Sequence, residues 1–160
     1  MKRRAFRAEV EIDASPERVW EVLVDLERYP EWNPFTIAVR SSLVEGEPVD
    51  LTVRMSRLGI TIEQREHIRE VRPARRLRWG MKLGAPWLIS GERDQRLEPL
   101  EPGRTRYVTE DVIAGVLSPL VFLLFAGSLE EGFREMARAL AAEAERRSPA
   151  RSTGASAPGD

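Results

Sequence analysis

The chain has 160 residues, 42% of them apolar, and a formal net charge of −1. That is enough chain for one domain with a real core, and too little charge for a global field that would draw it onto nucleic acid or an anionic membrane. The absence of cysteine excludes disulfides, thiolate nucleophiles and Cys-ligated zinc, and fits a reducing, cytoplasmic setting. Lys2 and Lys82 are the only lysines among the 25 basic residues, and arginine alternates with acid along most strands, the pattern of solvated faces. The opening MKRRAFRAEVEID is basic without an apolar run, unlike a secretory leader.

In chain order, Phe6, Ala8, Val10 and Ile12 alternate with Arg7, Glu9 and Glu11, which predicts a first strand with one dry face. Next comes SPERVWEVLVDLERYPEWNP, residues 15–34. Ser15 can cap a helix and Pro16 suits its first position. Val19, Trp20, Leu23 and Leu26 recur at helical spacing. Pro30 is expected to bar helix at Tyr29, and Pro34 to hold Asn33 extended. Ile37 and Val39 sit in a second strand, which ends near Glu45-Gly46-Glu47-Pro48. A third follows with Val49, Leu51, Val53 and Met55 inward.

The alternation continues from Ile60 to Val71, from Arg76 to Leu83, from Trp87 to about Leu97 and from Thr105 to Ile113, with turns at Arg57-Leu58-Gly59, Arg72-Pro73-Ala74, Gly84-Ala85-Pro86 and Glu101-Pro102-Gly103. Gly80 and Gly91 also read as turns or bulges. A long helix opens near Ser118-Pro119, a second cap-then-proline pair, with Leu129, Phe133, Met136, Ala137, Leu140 and Ala144 as its stripe. The apolar window from Val112 to Gly127 is too short for a bilayer crossing and is broken by Gly115 and Pro119, so it is expected to be a buried strand-to-helix junction, without stable membrane insertion. RSPARSTGASAPGD cannot bury enough apolar surface to fold. The reading is one domain over residues 1–146 and a disordered tail over 147–160.

These elements form an α+β fold. Seven antiparallel strands curve around a long C-terminal helix, and two short helices lie between strands one and two. One helix covers only part of a curved sheet, so space is expected between them. Met55, Trp79, Met81, Leu83 and Phe133 could fill that space or line it.

The order β-α-α-β6-α, the opening EVEIDASPERVWEVLVDLERYPEWNP, the PARRLRW hairpin and the late GRTRYVTEDVIAG strand resemble the SRPBCC superfamily. This is the helix-grip fold of START lipid-transfer domains and polyketide cyclases. The likeness covers about residues 4 to 146 and is nearest to the bacterial polyketide cyclase/dehydrase and lipid-transport group. It implies a small hydrophobic ligand held between sheet and C-terminal helix. Members of the superfamily differ in what they do: some cyclise polyketides, and others transfer lipids or bind quinones.

The candidate chemistry is sparse. Any triad must run through His67, the single histidine, whose parity with Glu63, Arg65 and Arg69 points it at solvent. No metal-ligand spacing and no phosphate loop appear, so no metal or other cofactor is expected. The sixth strand is more informative. Parity puts Arg93 and Gln95 on the face of Trp87, Ile89 and Leu97, and Glu66 on the face of Ile62, Gln64 and Ile68. Glu66 could therefore meet Arg93 inside the cavity, with Asp111 near them on the seventh strand, and a buried charge without a partner costs several kcal/mol. The alternatives are a bulge that turns these residues outward, or a purely structural ion pair. Glu66 and Asp111 are candidates for moving a proton in a catalytic version of the site.

The ligand-binding candidates are Trp32, Phe35, Met55, Trp79, Met81, Arg93, Gln95, Phe122, Phe133 and Met136. Trp32 either closes the cavity mouth or staples the short helices to the sheet. The apolar excess over 116–125 reads as a cavity gate, a homodimer patch or a membrane-touching tip. The leading reading is a binding or transport protein for a lipid, quinone or polyketide-like molecule. Its rivals are a polyketide cyclase, aromatase or dehydratase and a non-catalytic protein-interaction module.

Overall fold

The computed structural model describes residues 3–85 and 87–149. β1 (Arg3–Ile12) leads to α1 (Pro16–Val24), a 3-10 turn (Leu26–Arg28) and α2 (Tyr29–Trp32). Six strands follow: β2 (Thr36–Ser41), β3 (Pro48–Met55), β4 (Ile60–Arg72), β5 (Arg76–Leu83), β6 (Ile89–Glu101) and β7 (Arg104–Ala114). α3 (Ser118–Arg147) closes the described chain. The strands form one antiparallel sheet in the order β1-β7-β6-β5-β4-β3-β2. The helical segment after β1 carries the chain across, so β1 and β2 become opposite edges and the sheet curls around α3.

Ser15 caps α1, its Oγ accepting from the Arg18 N–H at 3.3 Å. Tyr29 departs from expectation: it is helical, with φ −53° and ψ −42°, and opens α2. Pro30 falls in the first turn, where no N–H is needed and proline fits. Pro34 does hold Asn33 extended, with ψ 110°. The Asn33 Oδ1 accepts from the Phe35 and Thr36 N–H groups at 3.1 and 2.9 Å, a side-chain turn that fixes the entry to β2. A bulge between Thr36 and Ala38 then breaks the simple parity. Thr36 is buried on the same side as Val39, while Ile37 is only half-buried.

α3 divides into two unlike halves. From Ser128 to Ala144 it presses Leu129, Phe133, Met136, Ala137, Leu140 and Ala144 into the core. Each large side chain buried this way contributes about 1.5–3 kcal/mol. Its C-terminal end is clamped: Arg147 reaches Asp25 at 2.8 Å and Glu143 at 2.6 Å, and Glu145 accepts from the Asp13 N–H at 3.0 Å. The N-terminal half departs from the expected buried junction. Val116, Leu120 and Leu124 are exposed, and Leu123 is 81% exposed. The helix also begins differently from α1, since Ser118 is already helical and Leu117 takes the cap position without a side-chain bond.

Gly80 and Gly91 lie inside the continuous β5–β6 ladder rather than in turns, and a Cβ on Gly80 would strike the Gly91 carbonyl. β6 starts at Ile89, so Trp87 stands in the preceding turn and is 61% exposed rather than inward. Arg147, expected to open the tail, is the last residue of α3. Residues 150–160 of that tail lie outside the described residues.

Candidate functional site

Between the concave face of the sheet and α3 lies a cavity of about 360 Å³. Its sheet wall is the inward register of four consecutive strands: Leu51, Val53 and Met55 from β3, Ile62 from β4, Trp79 and Met81 from β5, and Ile89 from β6. Ile113 of β7 continues it. α3 adds Val121, Phe125, Leu129 and Phe133, and Phe35 enters from the corner that Asn33 sets. Gly132 makes room for Phe35: any Cβ there would collide with the ring, so ring and helix meet without a gap.

The β3–β4, β5–β6 and β7–α3 connections gather at one end of the sheet, where Leu83, a residue of the cavity lining, is exposed. The β5–β6 turn is tied to the helix entry by Val116 N–H to Trp87 C=O and Leu117 N–H to Leu88 C=O, both 3.1 Å. Gly115, at φ 117°, lets the two chains approach, because a Cβ there would meet the Leu88 backbone. The β3–β4 turn reaches α3 through Arg57 to Glu131 at 3.1 Å. Exposed apolar side chains are concentrated at this end: Leu58, Ile60, Leu83 and Trp87 on the strand connections, and Leu120, Leu123 and Leu124 on the helix.

The cavity carries a small polar group. Arg93, 5% exposed, lines it together with Gln64, Glu66 and Asp111. Glu66 and Arg93 share the cavity wall, and the alternative of a structural ion pair between them does not hold. The guanidinium instead donates to Thr109 Oγ1 and Thr36 Oγ1, each at 3.3 Å, and to Met136 Sδ. Its cation lies 4.7 Å from the Phe133 ring centre and 5.8 Å from that of Trp79, contacts that stabilise a desolvated guanidinium. The bulge at Thr36 is what supplies one of those hydroxyls.

Glu66 accepts from Gln64 Nε2 at 2.7 Å. Burial pushes its carboxyl up to about 8. Repulsion from Asp111 adds to this, and Arg93, Arg69 and the Gln64 bond oppose it. Burial likewise pushes Asp111 up to about 6 against the pull of Arg93. At neutral pH Glu66 is therefore mostly a neutral acid that can donate, while Asp111 is mostly ionised. Among the described residues no three His, Asp or Glu side chains gather as a metal site.

The whole arrangement, from the first strand to the end of the clamped helix, is matched over residues 3–145 by the family described as polyketide cyclase / dehydrase and lipid transport. The chain belongs to that family. Solved structures agree on the fold. An aromatase/cyclase named Zhui from Streptomyces sp. R1128 is 22% identical, with a TM-score of 0.77 over 93% of this chain and 98% of that one. A Thermus thermophilus protein is 20% identical, with a TM-score of 0.71 over 91% and 100%. A START superfamily protein from Mycobacterium smegmatis is 21% identical, with a TM-score of 0.66 over 90% and 99%. The search of curated proteins found no match.

Within this member of the polyketide cyclase/dehydrase and lipid-transport family, the expected site residues separate into two groups. Phe35, Met55, Glu66, Trp79, Met81, Arg93, Asp111 and Phe133 line the cavity. Four do not. Gln95 is fully buried behind the wall, accepting from the Tyr107 hydroxyl at 2.8 Å. Met136 supports Arg93 from behind. Trp32 packs edge-on against Tyr29 of the same short helix at 4.9 Å. Phe122 stacks on Phe6 at 4.3 Å beneath Arg4. His67 is exposed. Sequence pattern does not point to Thr36 and Thr109, and only the bulge and the register of β7 against β6 reveal them as partners of Arg93. Among the described residues no helix is long and apolar enough to cross a membrane.

Proposed function

We propose that this family member binds one small, mainly apolar molecule in the cavity, with its polar end towards Arg93, Glu66 and Asp111, and carries it rather than transforms it. The observation that supports this most is the cavity itself: about 360 Å³ of space with aliphatic and aromatic walls and one polar group, the ordinary make-up of a small-molecule site. A guest burying roughly 300 Å² of apolar surface gains about 7 kcal/mol before ordering costs, and its contacts with the polar group add to this. The protein-interaction reading asks for an interior filled by side chains, which this space argues against. The absence of cysteine favours the cytoplasm, and the exposed apolar end supports either brief contact with the compartment that loads the ligand or pairing of two copies.

Native mass spectrometry of protein purified from its own cells tests the proposal. A one-to-one adduct of a lipid, quinone or pigment is expected, and bare protein under conditions that preserve added ligand would refute it. One feature favours a second reading, a cyclase or dehydratase acting on a polyketide-like chain. Glu66 is an acid poised near neutral pH inside the cavity, as general acid catalysis requires. Conversion of a poly-β-keto mimic faster than in buffer, lost in Glu66→Gln, would establish it.

A further inference from the structure

Arg93 cannot shed its charge inside a protein, and it is 5% exposed. A buried cation of this kind is ordinarily matched by an anion in contact. Here every contacting group is neutral: two threonine hydroxyls, a thioether, the Tyr107 phenol and two aromatic faces. Among the described residues no carboxylate oxygen lies within the 4.0 Å of an ion pair. Two acids share the cavity wall, yet neither is in contact, even though Asp111 stands directly opposite Arg93 in the β6–β7 ladder.

We infer that the head group this cavity selects is an oxyanion — a carboxylate, sulfonate or enolate on an apolar body — received by Arg93 and repelled by Asp111 and Glu66 whenever these are charged. This rests on the cavity being a binding site and adds the class of ligand. Three considerations support it. The guanidinium has five N–H donors, more than Thr109, Thr36, Met136 and the Tyr107 phenol together occupy. The aliphatic and aromatic lining suits the apolar body. The two acids give the site a charge that varies with pH.

The charge census around the cavity is short. Glu66 comes from β4, Arg93 from β6 and Asp111 from β7, and the other lining residues, from β3, β5, α3 and the corner before β2, are uncharged. Behind the wall, the Tyr29 and Tyr107 phenols are held neutral by burial, and Arg69 acts on Glu66 from the outer face. The polar group is therefore +1 with both acids protonated, neutral with Asp111 ionised, and −1 with both ionised. With Asp111 titrating at about 6 and Glu66 at about 8, the steps fall within an accessible range. An oxyanion binds best below the first and worst above the second. Each like charge at close range in a protein interior weakens it by about tenfold or more.

Two dyes of nearly the same skeleton test this on the full chain: neutral N-phenyl-1-naphthylamine, and 8-anilino-1-naphthalenesulfonate, which stays anionic throughout. The readout is the ratio of their dissociation constants at pH 5, 7 and 9. The sulfonate is expected to lose at least about tenfold relative to the neutral dye between pH 5 and pH 9. Glu66→Gln should remove the upper step, and Asp111→Asn should leave a single step that lies below the parent's upper one, because the Asp111 charge no longer raises Glu66. Arg93→Met should weaken the sulfonate at pH 5 far more than the neutral dye, whose binding also reports that the variant is folded. Parallel pH profiles for the two dyes, or a ratio at pH 5 unchanged by Arg93→Met, would overturn the oxyanion site while leaving the cavity reading intact. If neither dye binds at any pH, both readings fall.

Discussion

Replacing Glu66 by glutamine keeps the size and the hydrogen-bonding edge of the protonated acid and removes its ability to ionise. In the folded protein the carboxyl titrates at about 8 rather than 4.5, so folding favours its protonated form. The sign follows from proton linkage. Below 4.5 the group is neutral in both folded and unfolded chains and its stability is fully present. As pH rises from 4.5 to 8 the unfolded chain ionises first and that stability drains away. Above 8 the loss is complete. The gap corresponds to about 5 kcal/mol at about 1.4 kcal/mol per pH unit, and water entering the cavity reduces this to roughly 2–5 kcal/mol. Urea unfolding of both proteins at pH 5, 7 and 9 measures it. Glu66→Gln should match the parent within about 1 kcal/mol at pH 5 and exceed it by about 2–5 kcal/mol at pH 9. A difference independent of pH, or one that favours the parent at pH 9, would refute the placement of Glu66 as a buried acid.

Other substitutions separate the devices that shape the site. Gly132→Ala sets a methyl against the Phe35 ring, and overpacking of about 1–3 kcal/mol should outweigh a helix gain of up to about 1 kcal/mol. Gly127→Ala meets only the flexible end of exposed Arg57, so urea unfolding should show that variant stabilised by up to about 1 kcal/mol. Asn33→Ala leaves the Phe35 and Thr36 N–H groups without their acceptor and should cost about 1–3 kcal/mol, with weaker binding of N-phenyl-1-naphthylamine as Phe35 loosens. Glu143, held down to about 2 first by Arg146 and then by Arg147, acts in the opposite direction from Glu66. Its contribution is present above 4.5 and lost as pH falls through 2, so Glu143→Gln should cost about 1–2 kcal/mol at pH 7 and almost nothing at pH 2.

The alternating strands are legible because each sheet face has its own solvent: Val49, Leu51, Val53 and Met55 are all buried as their parity requires. Parity also puts Glu66, Arg93 and Asp111 on the cavity side. It does not give their pairing, because that depends on which way a long side chain turns. Arg93 points towards Thr36, which reaches it only through a bulge that shifts β2 by one residue. Trp87 escapes parity for a related reason: the alternation does not extend two residues before Ile89, into a turn. Tyr29 escapes the rule for residues before proline because that bias yields when the proline sits in a helix's first turn. The apolar run at 116–125 suggests burial, but hydrophobicity alone does not say whether a partner element exists. Among the described residues nothing buries Leu120, Leu123 and Leu124, which stay exposed.

Everything functional depends on the space beneath α3 accepting a guest. Isotope-edited nuclear Overhauser contacts between N-phenyl-1-naphthylamine and the protein's methyl groups test this most directly. One bound dye touching Val53, Ile113 and Leu129, which line the cavity, is the expected result. Contacts confined to the exposed Leu123 and Leu124, or none at saturating dye, would contradict it.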